Sequence, residues 1–250
     1  MTWLIASLGV LIGLATGLVG AGGSILTVLL LIHAGGLDVG PAITTSLVVV
    51  AGMSLVALVP YARTGAVSFR AAAAFGASSM VGAYLGGHIS RWIPERVLLF
   101  LFLLTMVVAA VAMLWERPPP ADDRAPSRRQ YLVVLGTGGL AVGALTGLVG
   151  LGGGFAVVPL LVLFDRMPVR RAVGTSILLI AMNTLAGLAG HLPHLAVDWQ
   201  TAAYLGVAEA AGGLAGVRLA RHVGTTALRR AFAALMIVAA VLQLGSTLRR

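Results

Sequence analysis

The sequence predicts an all-α polytopic membrane protein of two inverted-topology repeats, each a glycine-broken re-entrant helical segment followed by three transmembrane helices. Three observations predict it. The chain is 59% hydrophobic and 10% charged, one motif is written twice at a single offset, and the arginines divide unevenly between the two faces that the motif implies.

A soluble chain of 250 residues with this composition would expose apolar patches large enough to aggregate, so the expected solvent is lipid. Apolar runs of about 20 residues without an internal charge can each cross roughly 30 Å of hydrocarbon as a helix. The short alternating strands of a β-barrel are absent from the sequence. The net charge of +9 comes wholly from arginine, placed in the gaps between apolar runs. That is the positive-inside pattern, and no nucleic-acid partner is expected. Without cysteine, disulfide, iron-sulfur and thiolate-zinc chemistry are excluded. Met1, Thr2 and Trp3 lead into the first apolar stretch without a basic leader region, so the N-terminus is expected to be retained.

The duplication fixes the domain organisation. Gly13-Leu14-Ala15-Thr16-Gly17-Leu18-Val19-Gly20-Ala21-Gly22-Gly23-Ser24 matches Gly143-Ala144-Leu145-Thr146-Gly147-Leu148-Val149-Gly150-Leu151-Gly152-Gly153-Gly154 at an offset of 130. The same offset pairs Thr45-Ser46 with Thr175-Ser176, Gly76 with Gly206, Gly82 with Gly212, Gly86 with Gly216 and Arg91 with Arg221. Residues 1–115 are therefore the first membrane repeat and 131–250 the second. Residues 116–130 form a charged linker in which Pro118, Pro119 and Pro120 forbid helix.

Each repeat begins with a long glycine-rich segment, near 3–34 and 132–163. Three ordinary spans follow, near 41–60, 70–90 and 97–115 in one copy and near 172–190, 199–219 and 231–248 in the other. A continuous helix of the first segment would be about 48 Å long, too long for one span and too short for two. Two half-helices meeting at a glycine break near mid-membrane resolve the mismatch.

If that segment returns to its starting side, one face collects 13 arginines and the other keeps only Arg91, Arg96, Arg249 and Arg250. The positive-inside pattern then puts the linker in the cytoplasm of a bacterial inner membrane and both termini in the periplasm. Three crossings per repeat turn the second copy upside down, the architecture of many secondary transporters.

The break glycines come first among candidate binding residues. Each glycine costs a helix roughly 1 kcal/mol relative to alanine, so a bunch of them has a reason. Close helix packing is one reason. The other is a chain reversal that turns free backbone N–H groups and a positive dipole end toward an anion, at Gly20, Gly22, Gly23 and Ser24 and at Gly150, Gly152, Gly153 and Gly154. Thr16 and Thr146, one turn earlier, either donate to the same anion or bond back to their own helices. Thr45, Ser46, Thr175 and Ser176 begin the next spans, as caps or as further ligands.

Asn183 lies mid-span and needs partners there. Glu209 is the one acid inside any expected span. A carboxylate at that depth costs several kcal/mol unless neutral or paired, so Glu209 is expected to carry a coupling proton. The alternatives are a permanently protonated structural hydrogen bond and a pair with Arg218. His191 and His194 flank Pro193 and read as solvated loop residues, with no third metal ligand evident. No nucleophile-base triad or P-loop is present, so no enzyme, cofactor or metal is expected.

The duplicated Gly-Leu-Val-Gly-x-Gly-Gly element, with Thr-Ser opening the following span in each half, resembles the TauE/SafE (sulfite exporter-like, TSUP) family of membrane permeases. The resemblance covers essentially the whole chain. It implies a permease for a small sulfur-containing anion such as sulfite or an organosulfonate, by export or uptake. The expected partners are that anion, the lipid bilayer and protons. Two other classes compete: a passive anion channel, in which Glu209 would be dispensable, and a non-transporting membrane subunit.

Overall fold

The computed structural model describes residues 2–20, 23–114, 128–149, 167–194, 196–220 and 222–224, with isolated positions at 157–158, 161–162, 227, 234, 237 and 241. Eight α-helices are described: α1 Thr2–Val19, α2 Gly23–His33, α3 Val39–Arg63, α4 Phe69–Ile89, α5 Glu95–Leu114, α6 Arg128–Val149, α7 Val169–His191 and α8 Trp199–Leu219. No strand occurs among the described residues. The last expected span, 231–248, lies almost wholly outside them.

Local chemistry sets the helix ends. Gly20 stops α1 at a backbone φ of +69°, a left-handed conformation that side chains disfavour. Ser68 starts α4 with its hydroxyl accepting from the Ala71 N–H (3.4 Å), and Asp198 starts α8 by accepting from the Thr201 N–H (3.1 Å). Those two caps are repeat equivalents. α6 begins at Arg128, inside the expected linker.

Among the described residues, two helical stretches are long and apolar enough to span a membrane, Val39–Arg63 and Arg170–His194. α4 and α8 are rich in glycine and alanine instead. Their surfaces trade apolarity for close approach. α1 packs on α8, and its repeat equivalent α6 packs on α4, so each repeat's first helix lies against the other repeat. A Cβ on Gly13 would collide with the Glu209 carbonyl oxygen, and one on Gly143 with the Ser79 carbonyl oxygen. Four residues on, Gly17 meets the Gly213 carbonyl and Gly147 the Ala83 carbonyl. Every one of these contacts recurs at the offset of 130, so the motif glycines of these two helices serve small-residue helix packing.

The order of contacts gives the helix directions. α1 runs parallel to α8 and α6 parallel to α4, since contacts advance together along each pair. α3 and α7 run antiparallel: Gly187 of α7 faces Leu47 of α3, while Gly174 faces Tyr61. Phe75, Leu47 and Met53 are fully buried between these helices, whereas Phe69, Trp92, Phe100, Trp199 and Val207 are exposed on the outside. An exterior that apolar suits lipid.

Candidate functional site

Where α1 crosses α8, Glu209 is completely buried, 0% exposed. Its Oε1 accepts a hydrogen bond from Thr27 Oγ1 of α2 at 2.6 Å, and Oε2 has no partner among the described residues. Gly13 of α1 and Thr27 of α2 thus meet the same residue of α8. α2 has folded back along α1 after Gly20.

The equivalent crossing of α6 and α4 carries Ser79 where the first carries Glu209. Ser79 Oγ donates to Asn183 Oδ1 at 2.6 Å, and Asn183 Nδ2 has no partner among the described residues. Both residues are fully buried. Buried polar atoms are nearly always hydrogen-bonded, so the unanswered oxygen on Glu209 and the unanswered N–H group on Asn183 set these two residues apart from the rest of the core. Arg218, the alternative partner for Glu209, is exposed one helix end away.

The hydroxyls of the other candidates bond to the backbone. Thr16 Oγ1 donates to the Ile12 carbonyl (2.9 Å) and Thr146 Oγ1 to the Val142 carbonyl (2.8 Å), each within its own helix. α3 and α7 begin at Val39 and Val169, so Thr45-Ser46 and Thr175-Ser176 lie a turn or more inside them rather than at their starts. Thr45 Oγ1 accepts from the Asp198 N–H (3.1 Å), and Thr175 Oγ1 from the Ser68 N–H (2.9 Å). Each threonine anchors the loop ahead of a helix in the other repeat.

Ser176 Oγ lies 2.7 Å from the carbonyl oxygens of both Gly20 and Val173 and fastens the break to α7. Ser46 Oγ bonds the Ile43 carbonyl at 2.8 Å. Because Gly20 packs on Val173 and Ser176, in the first two turns of α7, the break sits toward one end of the bundle and not at its middle. Gly22, Gly150, Gly152, Gly153 and Gly154 lie outside the described residues; Gly23 and Ser24 open α2.

Residues 5–242 match the family described as Sulfite exporter TauE/SafE. The chain belongs to the TauE/SafE family. This TauE/SafE protein is 35% identical to a "Probable membrane transporter protein" of Xylella fastidiosa (strain 9a5c) over 93% of its own length and 91% of the relative's. It is 26% identical to the "Probable membrane transporter protein YunE" of Bacillus subtilis (strain 168), covering 89% of each chain. No solved structure matches the chain. Membership makes it a membrane protein of a transport family, in keeping with its apolar helices.

Two histidines of this TauE/SafE protein correct the sequence reading. His191 is the last residue of α7, only 3% exposed, with Nδ1 2.9 Å from the Gly187 carbonyl oxygen and Nε2 3.1 Å from Ser90 Oγ. α7 extends far enough to carry it against the end of α4, so it is not a solvated loop residue. His194 Nε2 lies 3.3 Å from the same Ser90 Oγ. Thr27 is not among the residues that the sequence singles out. Its signal was a hydroxyl alone within the apolar run from Ile25 to Ile32.

Proposed function

We propose that this TauE/SafE protein is a secondary transporter that moves a small sulfur-containing anion, such as sulfite or an organosulfonate, across the bacterial inner membrane, with Glu209 carrying the coupling proton. The observation that carries the reading is the buried Glu209 carboxyl, held by Thr27 at one oxygen and unanswered at the other. A carboxyl so placed can exchange a proton only when the path opens to one side. The unanswered Asn183 amide, on the helix before that of Glu209 in the same repeat, supplies a neutral donor for an anion.

The antiparallel run of α3 and α7 supports reading the two copies as inverted in the bilayer, and the return of α2 to the level of Gly13 supports a re-entrant hairpin. Family membership supports the substrate class, since the family is described by sulfite export.

Heat stability tests the substrate class on purified protein. Sulfite, thiosulfate and sulfoacetate are expected to raise the melting temperature, while acetate and other carboxylates leave it in place. A ligand at about 100 times its Kd stabilises the native state by about 2.7 kcal/mol, enough to read. A shift with carboxylates and none with the sulfur anions contradicts the assignment.

A further inference from the structure

The repeat places equivalent residues at opposite ends of the bundle, and the two ends are built differently. Where α3 finishes and α7 begins, a cavity of about 240 Å³ is lined by Tyr61, Thr64, Ala66, Arg170, Val217 and Ala220, among others. At the offset of 130, Tyr61 corresponds to His191, Thr64 to His194, Ala220 to Ser90 and Arg170 to Gly40. Those counterparts close on one another. Ser90 Oγ bridges Nε2 of His191 and Nε2 of His194, at 3.1 and 3.3 Å, and the two rings lie 5.1 Å apart. One end is open beside an arginine; the other is bolted by a serine between two histidines.

We propose that the cavity at Arg170 is an anion-receiving vestibule of the transport path, and that the His191–Ser90–His194 contact is its closed counterpart at the far end. Arg170 is the one charged residue that lines the cavity among those described. Its guanidinium donates to the Ala220 carbonyl at 3.3 Å, which holds it at the cavity wall. A guanidinium presents a planar fork of donors that fits an oxyanion better than a point charge does.

One wall of the cavity also touches the broken segment. Tyr61 donates its hydroxyl to the Gly17 carbonyl at 2.9 Å, one turn before the Gly20 break, so a wall of the cavity is tied directly to the broken segment. The starts of α4 and α6 lie at this end too, because α4, α6 and α7 run parallel. It is therefore the end at which α6 begins, at Arg128, where the chain leaves the linker. An anion arriving there meets the arginine first, then the glycine break, and deeper still the level of Glu209.

This inference rests on the anion-transport reading, and one experiment separates the two. Sulfite flux is measured in vesicles containing full-length protein of defined orientation, with sulfite added at the linker face. Arg170→Gln is expected to raise the KM at that face about tenfold, equivalent to ~1.4 kcal/mol, with the maximal rate little changed. Arg170→Lys should recover part of the loss. Arg171→Gln, exposed and off the cavity, should change nothing.

Thr64→Glu places a negative charge on the exposed wall without touching the Arg170–Ala220 bond, and should also raise the KM. It keeps the test alive if Arg170→Gln fails to fold. A wild-type KM in both Arg170→Gln and Thr64→Glu overturns the vestibule while leaving sulfite transport intact. No flux of sulfite, thiosulfate or sulfoacetate by the wild-type protein overturns the anion reading and the vestibule together.

Discussion

Gly13→Val is expected to prevent α1 from seating on α8, and Gly143→Val to do the same to α6 on α4. In each case the added Cβ would occupy the position of a backbone carbonyl oxygen, Glu209 in one and Ser79 in the other. A backbone atom cannot rotate aside as a side chain can. Overpacking with a flexible neighbour costs about 1–3 kcal/mol, and a rigid neighbour puts the cost at or above the top of that range. The helices would have to separate, carrying Glu209 away from Thr27.

Gly206→Ala supplies the contrast. Nothing lies within 4 Å of a Cβ there. The substitution should be neutral or stabilising by up to about 1 kcal/mol through helix propensity. Melting temperature and monodispersity in detergent distinguish the two classes. A Gly13→Val protein that melts with the wild type would mean that the crossing is looser than the contacts require.

Glu209→Gln is expected to abolish proton coupling while preserving the fold. Glutamine matches glutamate in shape and can still accept from Thr27 through its carbonyl oxygen, so the contact at 2.6 Å has a replacement. It cannot gain or lose a proton. In vesicles, a gradient of one pH unit coupled one-to-one supports about tenfold accumulation of substrate, since one unit is worth about 1.4 kcal/mol. The variant should equilibrate substrate without accumulating it, and should still be stabilised by sulfite against heat. Accumulation at the wild-type level in Glu209→Gln would remove Glu209 from the coupling step.

Thr27→Val extends this test. It leaves Glu209 buried without its described partner, so a change in the pH dependence of flux, with substrate binding retained, would mark Thr27 as a positioning residue.

The duplication was fully legible in sequence, and its three-dimensional form is concrete: Gly13 does to Glu209 what Gly143 does to Ser79. Which partners the buried polar residues take was less legible. Thr45 and Thr175 looked like span starts, yet their partners are the N–H groups of Asp198 and Ser68, more than 100 residues away. No local pattern reveals such a bond. Thr16 and Thr146 follow the opposite rule, since bonding back to the preceding turn is a local option that any helical threonine has.

His191 was misread because Pro193 seemed to end the helix early, whereas α7 runs to His191 and a short turn carries on to His194. Glu209 was legible because an acid in an apolar span has few explanations. Thr27 was not, because threonine in such a span has many.

The most direct measurement is flux of labelled sulfite into vesicles that contain the purified wild-type protein, with and without an imposed pH gradient. The expected result is saturable uptake, competed by unlabelled sulfite or sulfoacetate and raised above equilibrium when the gradient is present. Folded protein that moves none of sulfite, thiosulfate or sulfoacetate, under either condition, would contradict proton-coupled sulfur-anion transport.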